Sequence, residues 1–415
     1  MRLLVITQYF WPENFRINDL VSELVERGHE IVVLTGKPNY PQGQFFPDFL
    51  RDPGQFAAYK GARILRAPML PRGRGGFSLI ANYASFAIGA AIYGLYALRK
   101  EHFDAILVYE PSPVTVGVPA IVLRRLMGWP VAFWVQDQWP ETLVAVGAVK
   151  SQAILRGIGK LVSYIYKRCD LILSQSKSLL SQIGKYTQHD KRIEYFPNWA
   201  ESIFYHRIAE AAIEVPLAEN SFDIVFAGNI GEAQDFPAIL EAAEILAEDR
   251  RIRWIILGDG RLAAWVREQV SQRQLERSVI LLGRFPLERM MSFYEHADAL
   301  LVTLKSDPVF SMTLPGKVQS YLAAGKPVLG MLDGEGASII IEAKAGLVCA
   351  AGNARALADA ALRMSKLSFD ELQRMGGRGR EFSDREFDRN TLLTKLEKWL
   401  SELSKRKVRS DGVKQ

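Results

Sequence analysis

The stretch WIILGDGRLAAWVREQVSQRQLERSVILLGRF, Trp254–Phe285, decides the fold class. Two short apolar runs, WIILGDG and VILLGRF, enclose a charged segment of helical pattern. Runs this short and apolar, with little polar alternation, read as strands buried on both faces, and a helix between them makes the pair parallel. The grammar repeats outward. The second half adds DIVFAG (Asp223–Gly228), ALLVTL (Ala299–Leu304) and PVLGML (Pro327–Leu332). The first half holds LLVIT (Leu3–Thr7), EIVVLT (Glu30–Thr35), AILVYE (Ala105–Glu110), VAFWVQD (Val131–Asp137) and LILSQS (Leu171–Ser176). With right-handed crossovers these make an α/β chain of two doubly wound domains. Ligands of such sheets bind in the loops at the carboxyl ends of the strands.

The totals agree. A chain of 415 residues, 48% hydrophobic and 24% charged, is a soluble globular protein of about two domains. Composition shifts at PNWAESIFYHRIAEAAIEVPLAENS (Pro197–Ser221), which is taken as the linker. Domains are therefore expected over 1–200 and 201–387. A last helix is expected over about 388–407, regular from Thr391 to Lys407, before a disordered polar tail at 408–415. The net charge of +6 suits phosphate-rich ligands or an anionic membrane face. Nucleic acid fits less well, because Lys and Arg are spread out and no binding motif is present. Cys169 and Cys349 are too few for a disulfide framework, and the start MRLLVITQYF reads as a strand, so a cytoplasmic location is expected.

An ordered set of motifs carries a resemblance: GHEIVVLTGKPNYPQG (Gly28–Gly43), FWVQDQWPE (Phe133–Glu141), FPNW (Phe196–Trp199), FAGNIGEAQ (Phe226–Gln234), ILGDG, LLGRF and SMTLPGKVQSYLAAGKPVL (Ser311–Leu329). Together they resemble family 4 glycosyltransferases of GT-B fold, closest to the WbuB-like branch of bacterial surface-polysaccharide transferases (O-antigen and colanic acid type). The resemblance implies two Rossmann-like domains facing a cleft, with the last helix crossing back onto the first. It implies a metal-independent, retaining, hexosyltransferase-type enzyme. The donor, a UDP-sugar by this reading, would sit on the second domain and the acceptor on the first. No cofactor is expected, the nucleotide sugar being a substrate.

The second-domain residues suit such a donor. A diphosphate needs positive charge and backbone N–H groups, which a helix N-terminus supplies. Pro315, Gly316 and Lys317 open the helical segment KVQSYLAAG: proline for the turn, glycine for close approach, lysine for the charge. The alternative is an ordinary exposed lysine at a helix start. AGNIGEAQ follows a strand, so Gly228, Asn229 and Gln234 also face the donor; Asn229 and Gln234 stand where many family members have arginine and lysine. Lys305 is a further candidate to share the charge. The family's paired glutamates align with Met312 and Ser320, and Ser320 can bond a ribose hydroxyl. By resemblance Gly258 and Gly260 of GDG lie beside the donor, while Arg284 and Phe285 of GRF border the base. Taken singly, each glycine reads equally well as a tight turn.

In the first domain, Asn14 and Arg16 lie in the loop after the first strand and are acceptor or cleft candidates. Gln136, Asp137 and Glu141 lie at another strand end. Asp137 is the candidate for holding the acceptor hydroxyl, against a local N-cap role; with Lys317 it makes up the catalytic pair. His29, in RGHE, reads as structural, and no histidine pair has metal-ligand spacing.

FSLIANYASFAIGAAIYGLYAL (Phe77–Leu98), flanked by Arg72, Arg74, Arg99 and Lys100, is long enough to span a bilayer. A span would split one sheet across the membrane. It reads instead either as a buried or half-buried helix or as one lying in the interface. The second suits a polyprenyl-diphosphate-linked saccharide acceptor, with the protein peripheral at the inner face of the plasma membrane. Two other classes stay open: a nucleotide-sugar 2-epimerase-like enzyme, and a non-catalytic, membrane-associated transferase relative.

Overall fold

The computed structural model describes residues 1–73, 76–145, 149–188, 190–206, 212–249 and 251–412, with side chains to 405. Two compact units emerge: Met1–Pro197 with Asn390–Gln415, and Asn198–Arg389.

The first unit is built on an eight-stranded sheet. Its strands are β1 (Arg2–Ile6), β2 (Glu30–Thr35), β3 (Ala58–Tyr59), β4 (Ala62–Arg66), β5 (Ala105–Glu110), β6 (Val131–Val135), β7 (Leu171–Ser174) and β8 (Ile193–Tyr195). The order is β3-β4-β2-β1-β5-β6-β7-β8, and only the β3–β4 pair is antiparallel. β5, β6 and β7 are buried at every position, as strands covered on both faces must be. The order reverses at β1, which lies between β2 and β5.

The second unit holds a six-stranded parallel sheet, β11-β10-β9-β12-β13-β14. The strands are β9 (Phe222–Ala227), β10 (Ile252–Leu257), β11 (Val279–Gly283), β12 (Ala299–Thr303), β13 (Val328–Met331) and β14 (Gly346–Cys349). The reversal falls at β9, between β10 and β12. The charged segment between WIILGDG and VILLGRF forms the helix Ala263–Gln272, which carries β10 across to β11.

Two expectations change. The Pro197–Ser221 segment is no free linker: Ala200, Phe204, Ala212 and Val215 are buried in the second unit's core, with Phe204 stacked on Tyr294. Residues 207–211 of that segment lie outside the described residues. The last helix spans Arg389–Gly412, so the expected disordered tail is helical through 412, because KRKVRS contains no breaker. That helix packs on the first unit. His29 Nε2 lies 2.7 Å from Glu397 Oε1, and Arg27 donates to Asn390, Thr394 and Glu397. His29 thus has the structural role its turn suggests.

The long apolar segment is the helix Gly76–Ala97. Small residues face inward (Ala87, Ala90, Ala91, Gly94), together with Phe86 and Asn82. Asn82 accepts from Gln8 Nε2 at 2.7 Å and donates to Leu70 O at 2.7 Å. The outer face carries exposed Phe77, Ile80, Ile88, Ile92 and Tyr96. One flanking residue, Arg74, lies outside the described residues.

Candidate active site

At the second unit's switch point, Pro315 is the extended N-cap of the helix Gly316–Ala323 and accepts from Val318 N at 2.9 Å. Gly316 is exposed, and its N–H is one of the orphan donors of a helix start. Lys317, one residue on, turns its side chain back over β9. Its ammonium lies 3.5 Å from the centroid of the Phe226 ring. The nitrogen is sealed from solvent and has no hydrogen-bond partner among the described residues. Burial alone brings its pKa down from 10.5 to about 7. Ser320, on the same helix, is buried.

Glycine is required where the two strand-end loops touch. A Cβ on Gly228 would meet Lys317 Cε at 2.6 Å, and one on Gly258 would meet Gly228 O at 1.8 Å. A Cβ on Gly260 would strike Ile230 O and Asn229 Oδ1. The loops after β9 and β10 are also hydrogen-bonded, Ile230 N to Asp259 O at 2.9 Å and Gly228 N to Leu257 O at 2.8 Å. Asn229 is exposed beside them. Gln234 closes the loop locally: with its amide turned, Nε2 donates to the carbonyls of Asn229 and Gly231. Lys305 is drawn into an exposed pair with Glu232 at 3.0 Å, so its expected share of the charge falls to Lys317. Behind the loops lies a cavity of about 350 Å³, walled by Ile230, Gly258, Asp259, Arg267, Gly283 and Arg284. Arg284 is exposed on its rim, whereas the Phe285 ring turns into the core against Phe293, centroids 4.7 Å apart.

In the first unit, loops from five strands meet at the carboxyl edge. Glu13, after β1, is buried and accepts from the backbone N–H of Phe10, Asn39 and Tyr40. Burial, only partly offset by these bonds, still moves its carboxyl from 4.5 up to about 7. The rings of Tyr9, Phe15 and Tyr40 pack mutually with centroids 5.3–5.4 Å apart. Asp137 follows β6. Its Oδ1 accepts from Thr142 Oγ1 at 2.6 Å and its Oδ2 from Trp139 Nε1 at 3.3 Å. Burial raises its pKa, and these bonds oppose the rise. The local turn role therefore exists, but Tyr83 and Ser112 share the same corner.

The remaining candidates divide. Arg16 is the first residue of the helix Arg16–Glu26, and Asn14 is exposed just before it. Gln136 is half-buried, its backbone tied to Glu110 O at 3.1 Å. Glu141 begins a short helix and is bound by Tyr186 OH at 2.7 Å. The sequence reading passed over Tyr9, Tyr40, Arg72, Tyr83 and Glu110. Only Glu110 had a local signal, a carboxylate closing an apolar strand; it is fully buried, and burial raises its pKa well above the ordinary range.

Family models match both units: the glycosyl transferase 4-like domain over residues 14–199 and the glycosyl transferases group 1 model over 209–382. The chain is a family 4 glycosyltransferase. It is 25% identical over 348 residues to WcaI of Escherichia coli K12, covering 78% of this chain and 82% of that protein, whose name places it as a glycosyl transferase of colanic acid biosynthesis. Among solved structures, sucrose-phosphate synthase of Thermosynechococcus elongatus superposes with TM-score 0.72 at 14% identity, over 97% of this chain and 98% of that one. HepE of Anabaena, solved with UDP, superposes with TM-score 0.71 at 12% identity, over 97% and 100%. These likenesses give the transferase the GT-B fold. Its two switch points, at β1 and β9, are where an open α/β sheet places its ligands.

Proposed function

We propose that the transferase moves a sugar, with retention and without a metal, from a UDP-sugar to a lipid-linked saccharide in cell-surface polysaccharide synthesis. The observation that carries this is the unpartnered Lys317 ammonium behind the start of the helix Gly316–Ala323. A diphosphate reaching that point meets backbone N–H groups and a cation with no competing acceptor. HepE, solved with UDP, supports the donor, and the cavity bordered by Gly283 and Arg284 has room for a base. The anomeric C–O bond to the diphosphate breaks as the acceptor oxygen attacks from the same face, and the acceptor's proton passes to the departing phosphate oxygen. Lys317 stabilises that oxygen's charge, and Asp137 orients the acceptor hydroxyl.

The likeness to WcaI supports the surface-polysaccharide setting. Three helices that pack side by side, Gly76–Ala97, Gly117–Met127 and Gln152–Arg168, contain no Asp or Glu. An acid-free layer of this kind, apolar along the first helix and basic along the others, suits an anionic lipid surface, with the enzyme peripheral at the inner leaflet.

Thermal shift with a panel of nucleotides tests the donor. Saturation at a hundredfold over Kd adds about 2.7 kcal/mol to stability. UDP and UDP-sugars should raise the melting temperature of the wild type and not of Lys317→Ala. No response to any nucleotide would remove the proposal, and an equal response to GDP would remove its uridine part.

A further inference from the structure

We infer that Arg72, framed by Tyr9 and Tyr40, is the subsite for the diphosphate of an isoprenoid-linked acceptor. Arg72 lies beyond β4, at the carboxyl edge of the first unit's sheet. Its Nη1 donates to Tyr9 OH at 3.0 Å, and its guanidinium lies 5.2 Å from the centroid of the Tyr40 ring. Its backbone N–H donates to Asn39 Oδ1 at 3.0 Å, tying the β4 loop to the β2 loop. The side chain is therefore fixed before any ligand arrives.

What it lacks is a counter-ion. Part-buried Arg124 and Arg289 have one in Asp170 and Glu214, and buried Arg253 has Asp223. Arg66, also without an ion pair among the described residues, spends donors on the carbonyls of Gly36 and Trp11. Among the described residues Arg72 forms no ion pair. The buried acid in the adjoining loop, Glu13, already accepts three backbone N–H groups. A half-buried guanidinium held by aromatic groups, with its other donors unspent on carboxylates, is preorganised for an anion.

The surroundings favour a phosphate joined to something apolar on one side and sugar-like on the other. The exposed ridge of the helix Gly76–Ala97 begins at Phe77, a few residues after Arg72. Toward β5 and β6, Tyr83 lies within 6.2 Å of the Trp139 ring and beside Asp137. Next to them Gln138 is buried with neither end of its amide bonded among the described residues. An acceptor threaded through this edge would lay its chain on the ridge, its diphosphate on Arg72 and its first sugar against Trp139, near Asp137. The assignment rests on the transferase reading for its acceptor class.

Calorimetric titration of the full chain with farnesyl diphosphate, inorganic pyrophosphate and UDP tests it. Arg72→Gln should weaken farnesyl diphosphate by about ten- to a hundredfold, the span of a charged hydrogen bond, while the UDP constant stays within about twofold. Should Arg72→Gln fail to fold, Tyr40→Ala, which removes the ring under the guanidinium, takes its place with the same expectation. The inference is overturned if wild type does not bind farnesyl diphosphate, or if the variant binds it as well. It is also overturned if pyrophosphate binds as tightly as farnesyl diphosphate, which would mark a site for free anions. A wild type that ignores UDP would instead count against the donor reading.

Discussion

The Lys317 ammonium rests on the Phe226 ring, 3.5 Å from its centroid, with no acceptor among the described residues to share its proton. Burial has taken its pKa to about 7, so near neutrality the free enzyme holds a mixture of ammonium and amine. A diphosphate favours the charged form, so binding draws in a proton. UDP affinity should be level below about pH 7. Above it, affinity should fall by about tenfold per unit until the pKa of the bound lysine is reached. Calorimetry in two buffers of different ionisation enthalpy reads the proton uptake directly. An affinity that stays flat from pH 6 to 9 would show that Lys317 is already charged or plays no part.

The same burial weighs on stability. The unfolded lysine keeps its proton up to its ordinary pKa of 10.5, whereas the folded one gives it up near 7. Between those values the unfolded chain binds more protons, so stability rises with pH. The destabilisation is complete below about pH 7 and gone above about 10.5. Lys317→Met should therefore stabilise the second unit by about 1–3 kcal/mol at pH 7, after allowing for the lost cation–π contact. It should also abolish UDP binding. Urea melts at pH 7 and 10 check this: the gain must shrink at the higher pH.

Gly228 and Gly258 predict opposite kinds of damage. A methyl on Gly228 meets the flexible end of Lys317, whereas one on Gly258 meets the backbone oxygen of Gly228 at 1.8 Å. Both glycines have positive φ, 143° and 147°. Gly228→Ala should still fold, at a cost of about 1–3 kcal/mol from backbone strain, and push the lysine off its ring, weakening UDP by tenfold or more. Gly258→Ala should lose several kcal/mol or fail to accumulate, because backbone cannot step aside. Circular dichroism melts beside nucleotide titration separate the two.

The sheets were legible because buried parallel strands are written as apolar runs. What escaped was short, peripheral or alternating. β4 is ARILR, its apolar pattern interrupted by Arg63 and closed by Arg66, and β8 is only IEY. Lys317 was legible as a candidate, since its motif is local. Its sealed position was not, because the ring beneath it belongs to a distant strand. Arg72, Tyr9 and Tyr40 come from three separate loops, and nothing in the order of residues shows that they converge.

At the opposite end of β9 from the site, Asp223 joins Arg253 and His296. The guanidinium donates to both carboxylate oxygens at 2.7 and 2.5 Å, and His296 Nε2 lies 2.6 Å from Oδ2. Burial works to raise the Asp223 pKa, but these partners outweigh it and hold the carboxyl below its ordinary range. Its stabilisation is therefore present above the unfolded aspartate's pKa and lost as pH falls through the lower, folded value. Asp223→Asn leaves a buried guanidinium uncompensated and should cost about 3–5 kcal/mol. The nucleotide constant, measured below the unfolding transition, should not move.

The helix Gly76–Ala97 offers the sharpest test of membrane docking, because inside and outside are cleanly divided along it. Ile80, Ala84, Ile88, Ile92 and Tyr96 recur every fourth residue on the exposed side, and Arg99 folds back over the Tyr96 ring at 4.4 Å. Phe86 is fully buried, so replacing it would probe folding instead of binding. The triple change Ile80→Ser, Ile88→Ser, Ile92→Ser takes nothing from the core and should leave the melting temperature within a degree or two. Each isoleucine entering the acyl boundary contributes about 1–2 kcal/mol, so the triple variant should bind vesicles at least a hundredfold more weakly. Wild type should float with vesicles containing anionic lipid and do so less at high salt, since Arg99 and Lys100 act through screened attraction. Equal flotation of wild type and triple variant would show that the exposed ridge meets something other than lipid.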